Sequence, residues 1–448
     1  MTDRIDFTAA RRTTLVAAAI ILAGCSADAV IAPAVPLPQA VAMPGVTVVT
    51  DTVALQGQVT PKGHVGLPLL PDSVPNVVMK WPPAAPAVRG QFRTANLGGI
   101  PLGITIAAEI APPVVSGQTL QATHIVVNGQ WVYVAYAMIG APTLGAVDVI
   151  QVGGGNAKLM SRATFTTTEY YAIETDGNYL YLAGATADSG FTERAVLDVV
   201  KLSGNKLPST YTAIRIQLPS YAGTGVAVDG STVWVTSGSG GANTGGLSIY
   251  DKSNLALKAR YPFLDARGVH VANGYAAVMA GTPGTARIFN GSSRGQLGGP
   301  ISIGGATVAE SKGVAWVDQN FAFFAAGDGG MKVVGLSASG GTIRGSGLPI
   351  PNVVGVLPAV STTNAVYVDD LASVLGFTGL RYMFVANGEA GVQSYVTDHQ
   401  GLASTAIPAL TGLGRIGFGT TISANFVAGG NGTLFVAAGL GGLKVLEY

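Results

Sequence analysis

The chain has 448 residues, of which 63 are glycine and 11% are charged, and its formal net charge is +1. No basic stretch goes beyond Arg11-Arg12, so the electrostatic footprint that nucleic-acid binding requires is missing. Abundant glycine and aliphatic β-formers, with few charges for amphipathic helices, argue for an all-β fold built of short strands and tight turns.

Residues 1–24 read as an export leader: Arg4, Arg11 and Arg12 precede the apolar run Leu15 to Leu22, too short to span a bilayer and flanked like a signal peptide. Leu22-Ala23-Gly24-Cys25 resembles a bacterial lipobox, which implies that the only cysteine, Cys25, carries the lipid and becomes the first mature residue. Several acyl chains on one cysteine anchor stably where a single chain would not. With no second cysteine there is no disulfide, so stability comes from packing and strand pairing. Ser26 stands where an aspartate would, by resemblance to lipoprotein sorting rules, retain the protein at the inner membrane. The expected location is the outer membrane or cell surface, and the arginine pair leaves both the general and the twin-arginine export routes open.

Residues 25–98 are rich in proline, alanine and valine, with eleven of the 24 prolines between residues 26 and 95. Prolines at this density break helices and ladders, so the segment reads as an extended tether. Val46 to Leu55 is the exception, with strand character that allows local pairing or docking on the domain.

Residues 99–448 carry a unit that recurs about every fifty residues, a spacing typical of repeat architectures. Each copy has a strand, a Gly or Asn turn, a second strand, a Gly-rich loop and a third strand. The second strands begin near Trp131, Tyr179, Val233, Tyr275, Phe321, Tyr382 and Thr433. Looser segments such as Ile214 to Leu218 and Pro300 to Ile303 supply fourth strands. The spacing predicts a seven-bladed β-propeller of four-stranded antiparallel blades. Because the chain stops after a third strand, the unassigned strand Ile104 to Ile110 is predicted to complete the last blade and close the ring.

The string VAAGLGGLKVL at 436–446, echoed by FAAGDGGMKVV at 324–334 and VANGEAGVQ at 385–393, resembles the LVIVD repeat of bacterial and archaeal cell-surface propellers. The resemblance covers roughly residues 120–448, is closer in the last three blades, and implies an envelope propeller without an agreed catalytic set.

The search for chemistry yields little. His64, His124, His270 and His399 have no ligand-like spacing, and a structural zinc site lacks its cysteines. His270, Glu174 and Asp369 fall on first strands, where polar residues face either the central channel or a blade interface. The Asp328 turn lacks the alternating oxygens of a calcium loop. Gly153 to Gly155 and Gly238 to Gly241 open no helix, so they are turns rather than phosphate cradles. Trp131, Trp234 and Trp316 lie inside strands as packing residues. No catalytic residues, metal site or cofactor are assigned. Loops 137–144, 184–194 and 237–245 join second to third strands in consecutive blades and cluster on one face, where function on a rigid scaffold usually sits. The insertion Asp369 to Thr378 emerges on the opposite face as a cover or an apolar contact. The resulting expectation is a noncatalytic, membrane-anchored module with a protein or glycan partner. The alternatives are an envelope hydrolase or lyase at the channel mouth, and a periplasmic assembly scaffold.

Overall fold

The computed structural model describes residues 36–68, 103–153, 156–238, 244–281, 284–303, 315–318, 320–347, 362–370, 380–398, 410–419 and 421–448. The leader and Cys25, His399 and most of the 369–378 insertion lie outside the described residues.

Seven antiparallel sheets follow one another along the chain. Blade 1 pairs Gln121–Asn128, Trp131–Ala137, Gly145–Gly153 and Asn156–Phe165, and blade 2 pairs Thr168–Thr175, Tyr179–Thr186, Ala195–Lys201 and Thr212–Gln217. Blades 3 to 6 begin at Ala222, Ala266, Ala315 and Ala365, each with four strands in sequence order. Blade 7 joins Phe426–Gly430, Thr433–Ala437 and Leu443–Glu447 to Ile104–Ile110, with Leu443 opposite Ile110 and Glu447 opposite Thr105. The predicted closure by the chain's two ends is therefore present. First strands of neighbouring blades pack on one another all the way round, with the seventh against the first. They form the inner wall of the ring.

The second strands explain how the blades stack. Tyr133, Tyr181, Trp234, Phe323, Phe384 and Phe435 occupy one register position, and five of the seven second strands also place a valine within the blade interface. These rings are fully or almost fully buried between adjacent sheets, and each large aromatic removed from water contributes a few kcal/mol to packing. Blade 4 departs from the pattern: Ala277 takes the aromatic position and lies opposite His270. Trp234 is buried as predicted, whereas Trp131 and Trp316 keep part of their rings accessible.

Tight turns also sew blades together. Gly327 and Thr363 exchange backbone hydrogen bonds of 3.0 and 3.1 Å, as do Gly388 and Ala424, and Ala122 N–H donates to Gly439. Asn364 and Asn425 reinforce this by donating to the carbonyls of Ala424 and Ala122 in the next blade, at 3.0 and 2.9 Å. The Asp328 segment is one of these turns, with Ala326 N–H donating to Gly330.

The tether reading is corrected for residues 37–67. Val41–Ala42 pairs with blade 2, Val46–Val49 with blade 1 and Val59–Leu67 with blade 7, each as a fifth, outermost strand. The short helix Thr52–Gln56, capped by the Asp51 carboxylate on Val53 and Ala54 N–H, lies between the last two and buries Leu55. Pro61 fits because the outer edge of a fifth strand has no partner to lose, and Pro44 sits in the turn between the first two strap strands. Leu37, Met43, Val46, Val48 and Leu67 pack against three different inter-blade cores, so this segment straps the ring across its closure. Only the Val46 to Leu55 part of that docking was legible as strand-like.

Candidate functional site

In an antiparallel blade, alternate connections emerge at opposite ends. Second-to-third strand loops and blade-to-blade connections therefore share one side of the ring, called here the upper face. The predicted axial residues occupy inner-wall positions in three non-adjacent blades. Glu174 lies in blade 2 opposite Tyr181, His270 in blade 4 opposite Ala277 and Asp369 in blade 6 opposite Tyr382.

Each is held by its own partners. Glu174 accepts from Thr175 N–H at 2.8 Å, and burial pushes its carboxyl up to about 7. His270 Nδ1 accepts from Val317 N–H of blade 5 at 3.0 Å, which places the ring proton on Nε2. Its ring stacks on Trp316 at 4.4 Å, Trp316 meets Tyr367 of blade 6 edge-on at 5.2 Å, and burial lowers the imidazole to about 4. Asp369 accepts from the Tyr448 hydroxyl of blade 7. Elsewhere His64 pairs with Glu447 at 2.8 Å and His124 packs on Phe426. Among the described residues no group of three or more His, Cys, Asp or Glu could hold a metal ion.

The densest polar arrangement is on the upper face over blades 1 to 3. It starts from a repeated backbone irregularity. The first strands of blades 1, 2 and 3 each carry a one-residue bulge, at Thr123, Tyr171 and Thr224, and a bulge re-aims the side chain it inserts. Thr123 and Thr224 use their hydroxyls to clasp the next blade, donating to the carbonyls of Tyr170 and Ala266. Tyr171 is aimed instead at Glu169, whose Oε1 accepts its hydroxyl at 2.5 Å.

Glu169 is 3% exposed, and its Oε2 is buried without a hydrogen-bond partner. Burial raises the carboxyl to about 7 against the opposing effects of Tyr171 and Arg194. Its backbone cannot yield easily. A Cβ on Gly145 of blade 1 would stand 2.7 Å from Glu169 Cα, and one on Gly184 would collide with the Glu169 carbonyl. Only glycine at both positions lets the first strand of blade 2 pass between them.

Arg194 ties three upper connections together. Its Nε donates to Thr186 O at 3.0 Å, its Nη1 to the Tyr221 hydroxyl at 2.6 Å, and its Nη2 to Thr143 of the blade 1 loop. The other end of the 187–194 loop is held by Asp188, which accepts from Arg215 Nη1 at 2.5 Å. Arg215 also makes a two-point contact with buried Asp198, at 2.8 and 2.7 Å, and Tyr170 donates to that carboxylate at 2.5 Å. Loops 137–144 and 184–194 thus form one braced surface, as their spacing predicted. Residues 239–243 of the third loop lie outside the described residues.

Around this polar centre stand exposed apolar groups. Ile139 and Leu264 are 71% and 72% exposed, and Val114, Tyr221 and Leu440 are also exposed. All five lie on upper-face connections of blades 7, 1, 2 and 3, or of the blade-to-blade joins between 7 and 4. Glu169, Tyr171, Arg194 and Tyr221 were not singled out from the sequence. Their signal was the Glu169-Tyr170-Tyr171 run, which breaks the apolar alternation of the other first strands.

No protein-family model matches the chain, and no curated protein sequence matches it. Among solved structures it is similar to Kuenenia stuttgartiensis hydrazine synthase, with a TM-score of 0.50 and 12% identity over 75% of this chain and 99% of that one. A functionally unknown protein from Desulfotomaculum acetoxidans DSM 771 aligns with a TM-score of 0.44 and 16% identity over 65% of this chain and 86% of that one. At such identity the first likeness shows the fold alone: the chain is a seven-bladed β-propeller.

Proposed function

We propose that this propeller is a lipid-anchored module of the cell envelope that binds a protein partner, without catalysis, through the upper face of blades 7, 1, 2 and 3. The carrying observation is the set of exposed apolar side chains, Val114, Ile139, Tyr221, Leu264 and Leu440, gathered on one side of a rigid ring. Apolar groups grouped around a polar centre on one sector mark interaction surfaces more often than scattered single ones do. The leader with Cys25, the likeness of the repeat to LVIVD propellers and the lack of a legible catalytic set support the same reading.

A photo-crosslinking residue placed at Ile139 or Leu264 in the native envelope should trap a discrete partner. The same residue at Leu257, which begins a fourth strand at the opposite side, should not. Equal trapping from all three positions, or none, rules the face out. Palmitate labelling of wild type against Cys25→Ala tests the anchor, and protease access on intact cells separates surface from periplasmic placement.

One observation favours a second reading, an envelope hydrolase or lyase. Glu169 combines a carboxyl raised to about 7 with a tyrosine and an arginine near the ring's mouth, and a pKa near the working pH suits a general acid or base. Unchanged function in Glu169→Gln would remove it.

A further inference from the structure

We propose that Glu169 is a proton-operated latch on the upper face: when it is protonated, Arg194 braces the loops of blades 1 and 2 and the join to blade 3, and when it ionises it captures Arg194 and releases them. This rests on the reading of that face as a binding surface and adds its regulation.

The geometry supplies both states. In the braced state Arg194 spends its donors on Thr186 O, Thr143 and Tyr221, none of which is a carboxylate. Arg215, the other guanidinium of the cluster, is already committed to Asp198 and Asp188. Glu169 has one oxygen satisfied by Tyr171 and one buried with no donor at all. A neutral carboxyl tolerates that deficit, whereas a buried carboxylate calls for a charge-assisted partner.

The neighbours leave one candidate. The strand carrying Glu169 packs on three strands of blade 1, whose ionisable groups are His124, Tyr133, Tyr136 and Asp148, and on a blade 3 strand carrying Asp229. Its own blade adds Tyr170, Glu174, Tyr179 and Tyr181, and the upper connections add Asp188, Glu193 and Tyr221. Asp148 is answered by Arg162. No lysine or histidine among these groups acts on Glu169, and its field is set by burial, Tyr171 and Arg194. Because Gly145 and Gly184 fix the Glu169 backbone, the arginine moves to the carboxylate rather than the reverse. Thr143 and Tyr221 then lose their shared tie, and the 137–144 and 187–194 loops loosen together.

The sign follows from linkage: protons hold the latch closed, so opening comes as pH rises through neutrality. Amide hydrogen exchange of residues 187–194 in the full chain reads it directly, with Glu169→Gln as the reference at every pH. Between about pH 6 and about pH 8 wild type should lose about tenfold in protection relative to Glu169→Gln, as one unit beyond the midpoint implies. Infrared difference spectra of wild type minus Glu169→Gln should show a protonated-carboxyl band at about pH 6 that is gone at about pH 8. Superimposable exchange profiles overturn the proposal. So does a missing carboxyl band, even if the glutamine variant is perturbed. Neither readout involves a partner, so failure of the latch and failure of the binding face are separable.

Discussion

Arg162→Met tests the buried charge pair at the ring's closure. Asp148 is fully buried and accepts from Arg162 at two points, 2.6 Å from Nε and 2.7 Å from Nη2, while the same Nη2 donates to Ala111 O at 3.0 Å, just beyond the closing strand. Burial, reinforced by the Asp148 carboxylate, pushes the adjacent Tyr136 phenol well above its usual range, so it stays neutral and leaves Arg162 as the positive charge beside Asp148. Removing the guanidinium strands a carboxylate in the 7–1 interface, a loss of about 3–5 kcal/mol. That is a large part of the roughly 5–15 kcal/mol typical of a folded domain. The comparison variant is Asp148→Leu with Arg162→Met. It removes both charges, and apolar replacement of a whole buried pair is often neutral or stabilising. The double variant should recover to within about 1 kcal/mol of wild type, the remainder being the bond to Ala111 O. Urea unfolding midpoints at unchanged slope measure all three proteins. A single variant costing less than about 1 kcal/mol, or a double variant no better than the single, refutes the reasoning.

Four further outcomes follow from the same geometry. Glu174, raised to about 7, binds its proton more tightly folded than unfolded, so it weakens the fold as pH climbs from about 4.5 to about 7. Glu174→Gln should flatten that part of the pH–stability profile by up to about 3 kcal/mol, and an unchanged slope contradicts its burial. His270, lowered to about 4, works in the opposite sense: its contribution is lost as pH falls below about 6.5, so His270→Gln should be the less sensitive protein in acid, measured as Tm against pH. Asn425→Ala removes the donor to Ala122 O and leaves the Ser423 hydroxyl without its acceptor. A loss of about 1–2 kcal/mol is expected, with faster amide exchange in the first strand of blade 1. Finally, Leu55→Asp should unseat the strap from the 7–1 core and expose the Val46–Val49 and Val59–Leu67 segments to protease, whereas Val53→Asp, at an 84% exposed position, should not.

Much of the ring was legible because each blade is a local object. Strand, turn and strand lie within about fifteen residues, their side chains alternate with period two, and the interface positions repeat from Tyr133 to Phe435. Even the closure by Ile104–Ile110 could be read, since a third strand at the C-terminus leaves one outer place to fill. The candidate site was legible only as loops. Glu169 and Arg194 stand 25 positions apart in the chain and Thr143 and Arg194 51 apart, and no periodicity links a bulge in one strand to a loop in another blade.

The sequence by itself determined the all-β class, the number of blades and the order in which their strands pair, because those depend on local alternation and on turns that glycine permits. Tertiary structure alone decided that residues 37–67 strap blades 2, 1 and 7, and that Arg194 meets Thr143 and Tyr221. Those contacts join edges and loops of different blades, which become neighbours only when the blades stack. A strand's alternation specifies which of its sides is buried, but not which distant segment will bury it.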